Sequence, residues 1–311
     1  TRSLILALSR TMFKRVISKQ GFWARCLEHR SFVIGGSLSS ILILAAFVSV
    51  FWTPWNPIKQ NLRARHSVPS WEHWLGTDQF GRDMLARISE GLRISLSLAA
   101  LCVLSSSIIG VLTGVIAAWC RGWVDTTLNF IANTILALPG LVLILLFAAL
   151  VPGSFIMLYL AISLVLAVEY FRLVRAITLP VVTGPALENS ALMGFPKRYL
   201  FNKHIWPAIR QDVLSLAAFG ASSSIIAMAS VGFVYVGLKP PSPELGLMIV
   251  ELFPYYHEAP WLLAQPIFAL FVLVLGFHLL SAKSDKTPRL NKFIFDSSSR
   301  LSKSDALERK L

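Results

Sequence analysis

At 311 residues the chain could bury a sizeable core, yet 55% of it is apolar and only 14% charged, where a soluble domain carries about a quarter charged residues. Long uncharged runs with the charge gathered between them exclude an ordinary soluble globule and describe an integral membrane protein. The formal charge of +13 calls for no nucleic-acid partner, because segments on the cytoplasmic side of a lipid membrane collect Lys and Arg.

Cys26, Cys102 and Cys120 are odd in number, widely spaced and without a CxxC pair, so neither a disulfide framework nor a metal site follows. Thr1 opens the chain, as expected of a processed or trimmed start. Residues 1–31 intersperse Arg10, Lys14, Arg15, Lys19, Arg25 and Arg30 with Leu, Phe, Val and Trp. That charge is spread too evenly for a signal peptide. It fits an amphipathic helix on an anionic inner leaflet, or a plain basic tail.

Six apolar runs follow, at residues 32–52, 94–119, 124–150, 155–177, 213–236 and 261–281. Each is about 20 residues or more, enough to cross the hydrocarbon at about 1.5 Å per residue. The fold expected is therefore an all-α integral membrane protein of six transmembrane helices. The second run holds Gly110-Val-Leu-Thr-Gly114, a spacing that lets helices approach closely. The third has Asp125 at its start and Pro139-Gly140 inside it; the fourth ends among Glu169, Arg172 and Arg175.

Orientation follows from the basic residues. With both termini inside, the cytoplasmic segments 1–31, 120–123, 172–212 and 282–311 hold 22 of the 29 Lys and Arg, and the positive-inside bias favours that topology. The domains are then a basic cytoplasmic segment 1–31, a transmembrane domain 32–281 and a cytoplasmic tail 282–311. Outer loops span 53–93 and 237–260, and the large inner loop spans 179–212. The loop 53–93 is the weak point, since its six basic residues lie among Glu72, Asp78, Asp83 and Glu90.

Two polar stretches stand out. His73-Trp-Leu-Gly-Thr-Asp-Gln-Phe-Gly-Arg-Asp83 offers Thr77 or Asp78 as a helix cap after a turn at Gly76. Its carboxylates and Arg82 invite an acid–base reading, but a capped helix with a local Asp–Arg pair accounts for them. Glu188 to Pro207, ENSALMGFPKRYLFNKHIWP, is basic and punctuated by Gly and Pro. Pro185 can start a helix, Gly194 can end it and Pro196 can start another. Leu187, Ala191 and Leu192 give the first piece an apolar face, and Lys197, Arg198 and Lys203 charge the second.

Leu75-Gly-Thr-Asp-x-x-Gly-Arg-Asp83 before a long apolar helix resembles the permease subunits of bacterial ATP-binding-cassette importers for oligopeptides, dipeptides and nickel. Gly122-Trp-Val-Asp125, Leu136-Ala-Leu-Pro139, Tyr170-Phe-Arg-Leu-Val-Arg175, Gly237-Leu-Lys-Pro-Pro-Ser-Pro-Glu-Leu-Gly246 and Ala259-Pro-Trp261 continue the resemblance in register. It runs from about Gly76 to Leu290, and no single motif carries it. Such permeases carry an inner loop written E-A-A-x3-G-x9-I-x-L-P. Here Glu188 and Gly194 keep its spacing, and His204, Ile205 and Pro207 match the H-I-L-P ending this family's loops carry. Asn189 and Ser190 replace the paired alanines, and Trp206 replaces leucine.

The resemblance implies that Glu188, Asn189, Ser190, Gly194, Lys197, Arg198, His204, Ile205 and Pro207 form a coupling loop for a separate ATPase. It implies a second permease subunit, two ATP-binding subunits that use ATP and Mg, an extracytoplasmic solute-binding protein and a bacterial inner-membrane location. Gly76, Thr77, Asp78, Gly81, Arg82 and Asp83 become candidates for extracytoplasmic docking. The solute would be a peptide, or nickel as a complex.

The chain itself has no GxxxxGK[ST] for ATP phosphates and no cluster with metal-ligand spacing, so it is expected to bind no cofactor and to catalyse no bond chemistry. Asn129 and Asn133 on one face of the third run, with Ser222, Ser223, Ser224, Met228 and Ser230 in the fifth, are candidates to line a pathway. Their bland reading is tight helix packing. Glu169 and Arg172, one turn apart, are expected to pair near the inner interface. A self-sufficient channel or proton-coupled secondary transporter is the alternative; it asks for mid-span carboxylates, and only Glu169 approaches one.

Overall fold

The computed structural model describes residues 30–51 and 55–281. The expected surface helix over 1–31 falls outside these but for its last two residues, and the tail 282–311 falls outside wholly. The described elements are helical, apart from one bridge between Thr77 and Asp83.

The helices are α1 (Arg30–Phe51), α2 (Met84–Cys120), α3 (Gly122–Ile135), α4 (Gly140–Leu150), α5 (Phe155–Val182), α6 (Pro185–Leu192), α7 (Lys197–Phe233), α8 (Leu245–Leu252) and α9 (Pro260–Ser281). By length and apolarity α2, α5, α7 and α9 can each cross a bilayer, and the bent pair α3–α4 makes a fifth if it is one span. The apolar part of α1, Val33–Ser49, is shorter.

Three expectations are corrected. The third apolar run is not one helix: α3 and α4 meet at 74° across residues 136–139. Pro139 lacks an N–H and pushes Leu138 out of helical backbone, so the helix has to end there. The second run begins ten residues earlier than its uncharged core, because Arg87, Glu90 and Arg93 find partners within the protein. Its cap is Asp83, whose carboxylate accepts the Ala86 N–H at 2.8 Å, and not Thr77 or Asp78.

Small residues set the central packing. The Cys102 thiol donates to the Tyr159 carbonyl at 3.8 Å and the Ser106 hydroxyl to the Ser163 carbonyl at 2.7 Å, each 57 positions on. A constant offset means α2 and α5 run parallel in fixed register. Gly110 and Gly114 continue the four-residue spacing: a Cβ on Gly110 would lie 2.3 Å from Tyr170 Cβ, and one on Gly114 2.9 Å from the Phe171 carbonyl. The expected close-approach motif is therefore real, and backbone proximity here does what an apolar driving force cannot do in lipid.

Two cores flank α2. On one side Leu98 and Cys102 join Leu158, Leu166 and Val174 of α5 with Ile209 and Met228 of α7. On the other, Ile88, Leu92 and Ala99 join Ile225 of α7, Met248 of α8 and Leu262 and Leu273 of α9. α7 contributes to both, so α2 and α7 form the spine of the bundle.

Candidate functional site

The two motif-bearing stretches fold in opposite ways. Before α2, residues 55–83 make an irregular cap closed by its own hydrogen bonds. Gly76 and Gly81 adopt φ of +77° and +68°, and a Cβ on Gly81 would overlap the Asn61 carbonyl at 1.8 Å, so glycine is required there. Asp78 Oδ1 accepts the Phe80 and Arg82 N–H groups, both at 2.8 Å, while its Oδ2 takes Arg82 Nε at 2.5 Å. Arg87 Nη2 donates to Glu251 of α8 at 2.9 Å, and Arg82 lies 3.4 Å from the same carboxylate. His73 bonds Asp83 at 2.9 Å, and Gln265 of α9 donates to the Leu75 carbonyl at 2.8 Å.

Thr77, Asp78, Arg82 and Asp83 are between 0% and 5% exposed, and Gly76 and Gly81 are buried too. A docking surface built from these six is thereby corrected: they are the internal tie between the cap and α8. The local Asp78–Arg82 pair is present as expected. Its partners Arg87 and Glu251 were not singled out from the sequence, because nothing local announces a contact 164 residues away.

The stretch between α5 and α7 is a projecting hairpin. α5 runs to Val182, Gly184 and Pro185 start α6, and α6 ends at Met193 with the Phe195 N–H on the Ser190 carbonyl and the Gly194 N–H on the Ala191 carbonyl. That double bond is a Schellman closure. It puts Gly194 at φ +80°, which a side chain resists. The second arm is not a separate short helix as expected, but the first turns of α7. One π turn, Phe201–Ile205, lies within it, its Trp206 N–H reaching five residues back to the Phe201 carbonyl. Pro207, which can neither donate nor tolerate the carbonyl four residues before it, gives the π turn its cause.

Leu187, Leu200 and Ile205 are buried in the core beneath the hairpin, so Ile205 is an anchor and not a contact residue. Across the arms, the Ser190 hydroxyl donates to the Ala186 carbonyl at 2.9 Å and lies 3.1 Å from His204 Nε2. With its proton committed, Ser190 Oγ accepts from the imidazole, so Nε2 carries a hydrogen.

The tip is apolar and open. Leu192 is 80% and Met193 76% exposed, with Phe195 stacked on Tyr199 at 4.5 Å beside them. Glu188, Asn189, Lys197, Arg198, Lys203 and Pro207 are exposed on its flanks. Such a surface fits a partner cleft with apolar depth and an acidic rim.

The pathway candidates part company. Asn129 donates to Asp125 at 2.7 Å and Asn133 accepts from Arg172 at 2.8 Å, while Asp125 also holds Arg175. These groups stitch α3 to α5, and Arg172 does not pair with Glu169. Ser222 and Met228 are buried, with the Ser222 hydroxyl on the Phe219 carbonyl. Ser223 and Ser224 line a cavity of about 30 Å³ with Glu169.

Residues 110–289, from the α2–α5 crossing past the last described helix, match the family described as the binding-protein-dependent transport system inner membrane component. A dipeptide transport system permease protein of Haemophilus influenzae is 31% identical over 267 residues, covering 84% of this chain and 90% of that protein. A glutathione transport system permease protein of Pectobacterium atrosepticum is 31% identical over 260 residues, covering 83% and 86%. A putative peptide transport system permease protein of Brucella abortus is 28% identical over 256 residues, covering 82% and 86%. With its long apolar helices and a family match over more than half its length, the chain is a multi-pass membrane protein and belongs to the family of inner membrane components of binding-protein-dependent transport systems.

Proposed function

We propose that this permease forms half of the pore of an ATP-driven peptide importer, with six spans and both termini in the cytoplasm. A sister permease would complete the pore, two ATPase subunits would supply ATP hydrolysis with Mg, and an extracytoplasmic binding protein would deliver the solute. The named peptide and glutathione permeases support a solute with a peptide backbone. The hairpin carries the reading. Its second arm is the start of α7 itself, its first arm α6 joins α5 through Thr183 and Gly184, and its tip exposes Leu192 and Met193. A displacement imposed at the tip by a closing ATPase dimer therefore reaches α7 along an unbroken helix and α5 through one short turn.

The test is gentle purification of C-terminally tagged protein from native membranes. A second permease and one or two ATPases should accompany the wild type. The ATPases should be lost from a Leu192→Asp/Met193→Asp double variant that still reaches the membrane. ATPase retention by that variant would remove the hairpin from the coupling role. Solute movement by the chain alone, without ATP, would favour the secondary transporter.

A further inference from the structure

Glu169 is a carboxylate left without a partner. It lies 14 residues after Phe155 on α5, roughly 21 Å along the axis and so within a hydrocarbon layer about 30 Å thick. Its neighbours are spoken for: Arg172 donates to Asn133 at 2.8 Å, and Arg175 forks onto Asp125 at 2.5 and 2.6 Å. Among the described residues Glu169 enters no ion pair or hydrogen bond. A charged group at that depth is costly unless something answers it.

The carboxylate lines the half-open cavity of about 30 Å³ between α4, α5 and α7, with Ile144, Leu166 and Ala227 as apolar walls. Two hydroxyls share it. Ser224 donates to the Gly220 carbonyl at 2.7 Å and also meets the Cys102 thiol, so its oxygen keeps only part of its accepting capacity. Ser223 has no hydrogen-bond partner among the described residues. The space exceeds the roughly 10–15 Å³ needed to hold one water-sized group. A carboxylate and two hydroxyls give four acceptor oxygens, enough for the three donors on a primary ammonium. They are too few for Mg or Ca, which take six or more oxygens.

The geometry points to a station for the primary ammonium group of the transported solute, formed by Glu169, Ser223 and Ser224. This rests on the reading of the chain as an importer permease for solutes with an amino terminus. The cavity lies between the two helices that continue into the hairpin, α5 and α7. Movement of the hairpin therefore changes the spacing of Glu169 and Ser223, and the station is gripped or released with the motor's stroke.

The experiment is labelling of the assembled importer in proteoliposomes with an apolar fluorescent carbodiimide, followed by mapping of the Glu169 adduct. Methylammonium and trialanine should each slow labelling at least fivefold, while N-acetyl-trialanine and K⁺ should not. Ser223→Ala should weaken amine protection severalfold, read as the ratio of protected to unprotected labelling within that variant. Absence of labelling, or labelling that no amine slows, overturns the site. Equal protection by K⁺ makes it a general cation site and overturns the ammonium assignment. ATP-driven uptake in the same vesicles separates the two readings: uptake without protection removes the station and leaves the importer, and no ATP dependence at all removes the importer.

Discussion

The cap before α2 and the hairpin between α5 and α7 are both polar, Gly-marked segments beside long apolar helices, and they spend their polar groups in contrasting ways. In the cap, two guanidiniums and two carboxylates at Asp78, Arg82, Arg87 and Glu251 pair with one another out of water, leaving Arg87 Nη1 without a partner, and the surface they occupy is closed. In the hairpin the buried residues are apolar anchors, the charges stand in solvent, and Leu192 and Met193 are left uncovered. A motif folded inward serves the chain's own architecture, whereas one folded outward awaits a partner. The cap explains why a count of basic residues is weakest on 53–93: Arg82, Arg87 and Arg93 are cancelled by carboxylates within the fold.

The largest effect should come from breaking the cap. Asp78→Ala leaves Arg82 and Arg87, which are 2% and 1% exposed, to share Glu251 alone, and removing one partner of a buried ion pair costs about 3–5 kcal/mol. The expected result is a large drop in melting temperature and membrane yield. Glu188→Ala, on the open hairpin, should stay within about 0.5 kcal/mol of wild type. Similar melting shifts for both would erase the contrast.

Gly194→Leu comes next and separates stability from function. Nothing lies within 4 Å of a Cβ at this position, so the penalty is the +80° backbone alone, about 1–3 kcal/mol stored locally. The protein should reach the membrane while ATP hydrolysis proceeds without uptake. Gly194→Asn, which tolerates this backbone better, should recover part of the transport. Normal substrate-stimulated uptake in the leucine variant would count directly against the coupling role.

The cap's side of the bundle should also be the pH-sensitive one. Glu244 caps α8 by accepting the Gly246 and Leu247 N–H groups at 2.9 and 2.7 Å, and it is 1% exposed. Burial pushes its carboxyl up to about 7 from 4.5, against the pull of those donors. The folded state therefore holds a proton that the unfolded state has lost. Stability is greatest below about 4.5, falls by up to about 1.4 kcal/mol per pH unit as pH rises through that window, and levels off above 7. Melting curves at pH 5 and 8 should differ, and Glu244→Gln should bring them together; an unchanged difference in that variant would place the titration elsewhere.

Much of this was legible in the residues. Apolar run length located α1, α2, α5, α7 and α9, because crossing a bilayer is a local requirement on composition. Gly110 and Gly114 announced a close crossing, and Gly194 and Pro196 the hairpin's turn, because each reflects local backbone geometry. The partners of polar side chains were not legible. Arg172 could reach Glu169 one turn away and instead reaches Asn133, and Arg87 meets Glu251 across the fold. Those choices depend on which helices neighbour one another, which periodicity does not encode. The break at 136–139 had its Pro in view, but a bend has a magnitude only once α3 and α4 have packed. Asn189 is exposed, and nothing in the structure explains its standing where the resembling loops have alanine.

Ser190, the other departure, has a role, and the smallest effect follows from it. Its bond to His204 ties α6 to the π turn of α7, two arms otherwise joined by the Gly194 closure and by the buried Leu187, Leu200 and Ile205. Ser190→Ala restores the residue usual in such loops and removes a neutral hydrogen bond at the surface, worth about 1 kcal/mol. That is roughly a fivefold change in local opening, too little to unfold the bundle or release the ATPase. Amide exchange across 186–193 should accelerate by about that factor, with exchange in α2 and α5 unchanged. His204→Gln, which keeps an N–H donor, should restore part of the protection lost in His204→Ala. If exchange in the serine and histidine variants matches wild type, the two arms are held by the apolar anchors alone, and the hairpin's stiffness owes nothing to its polar groups.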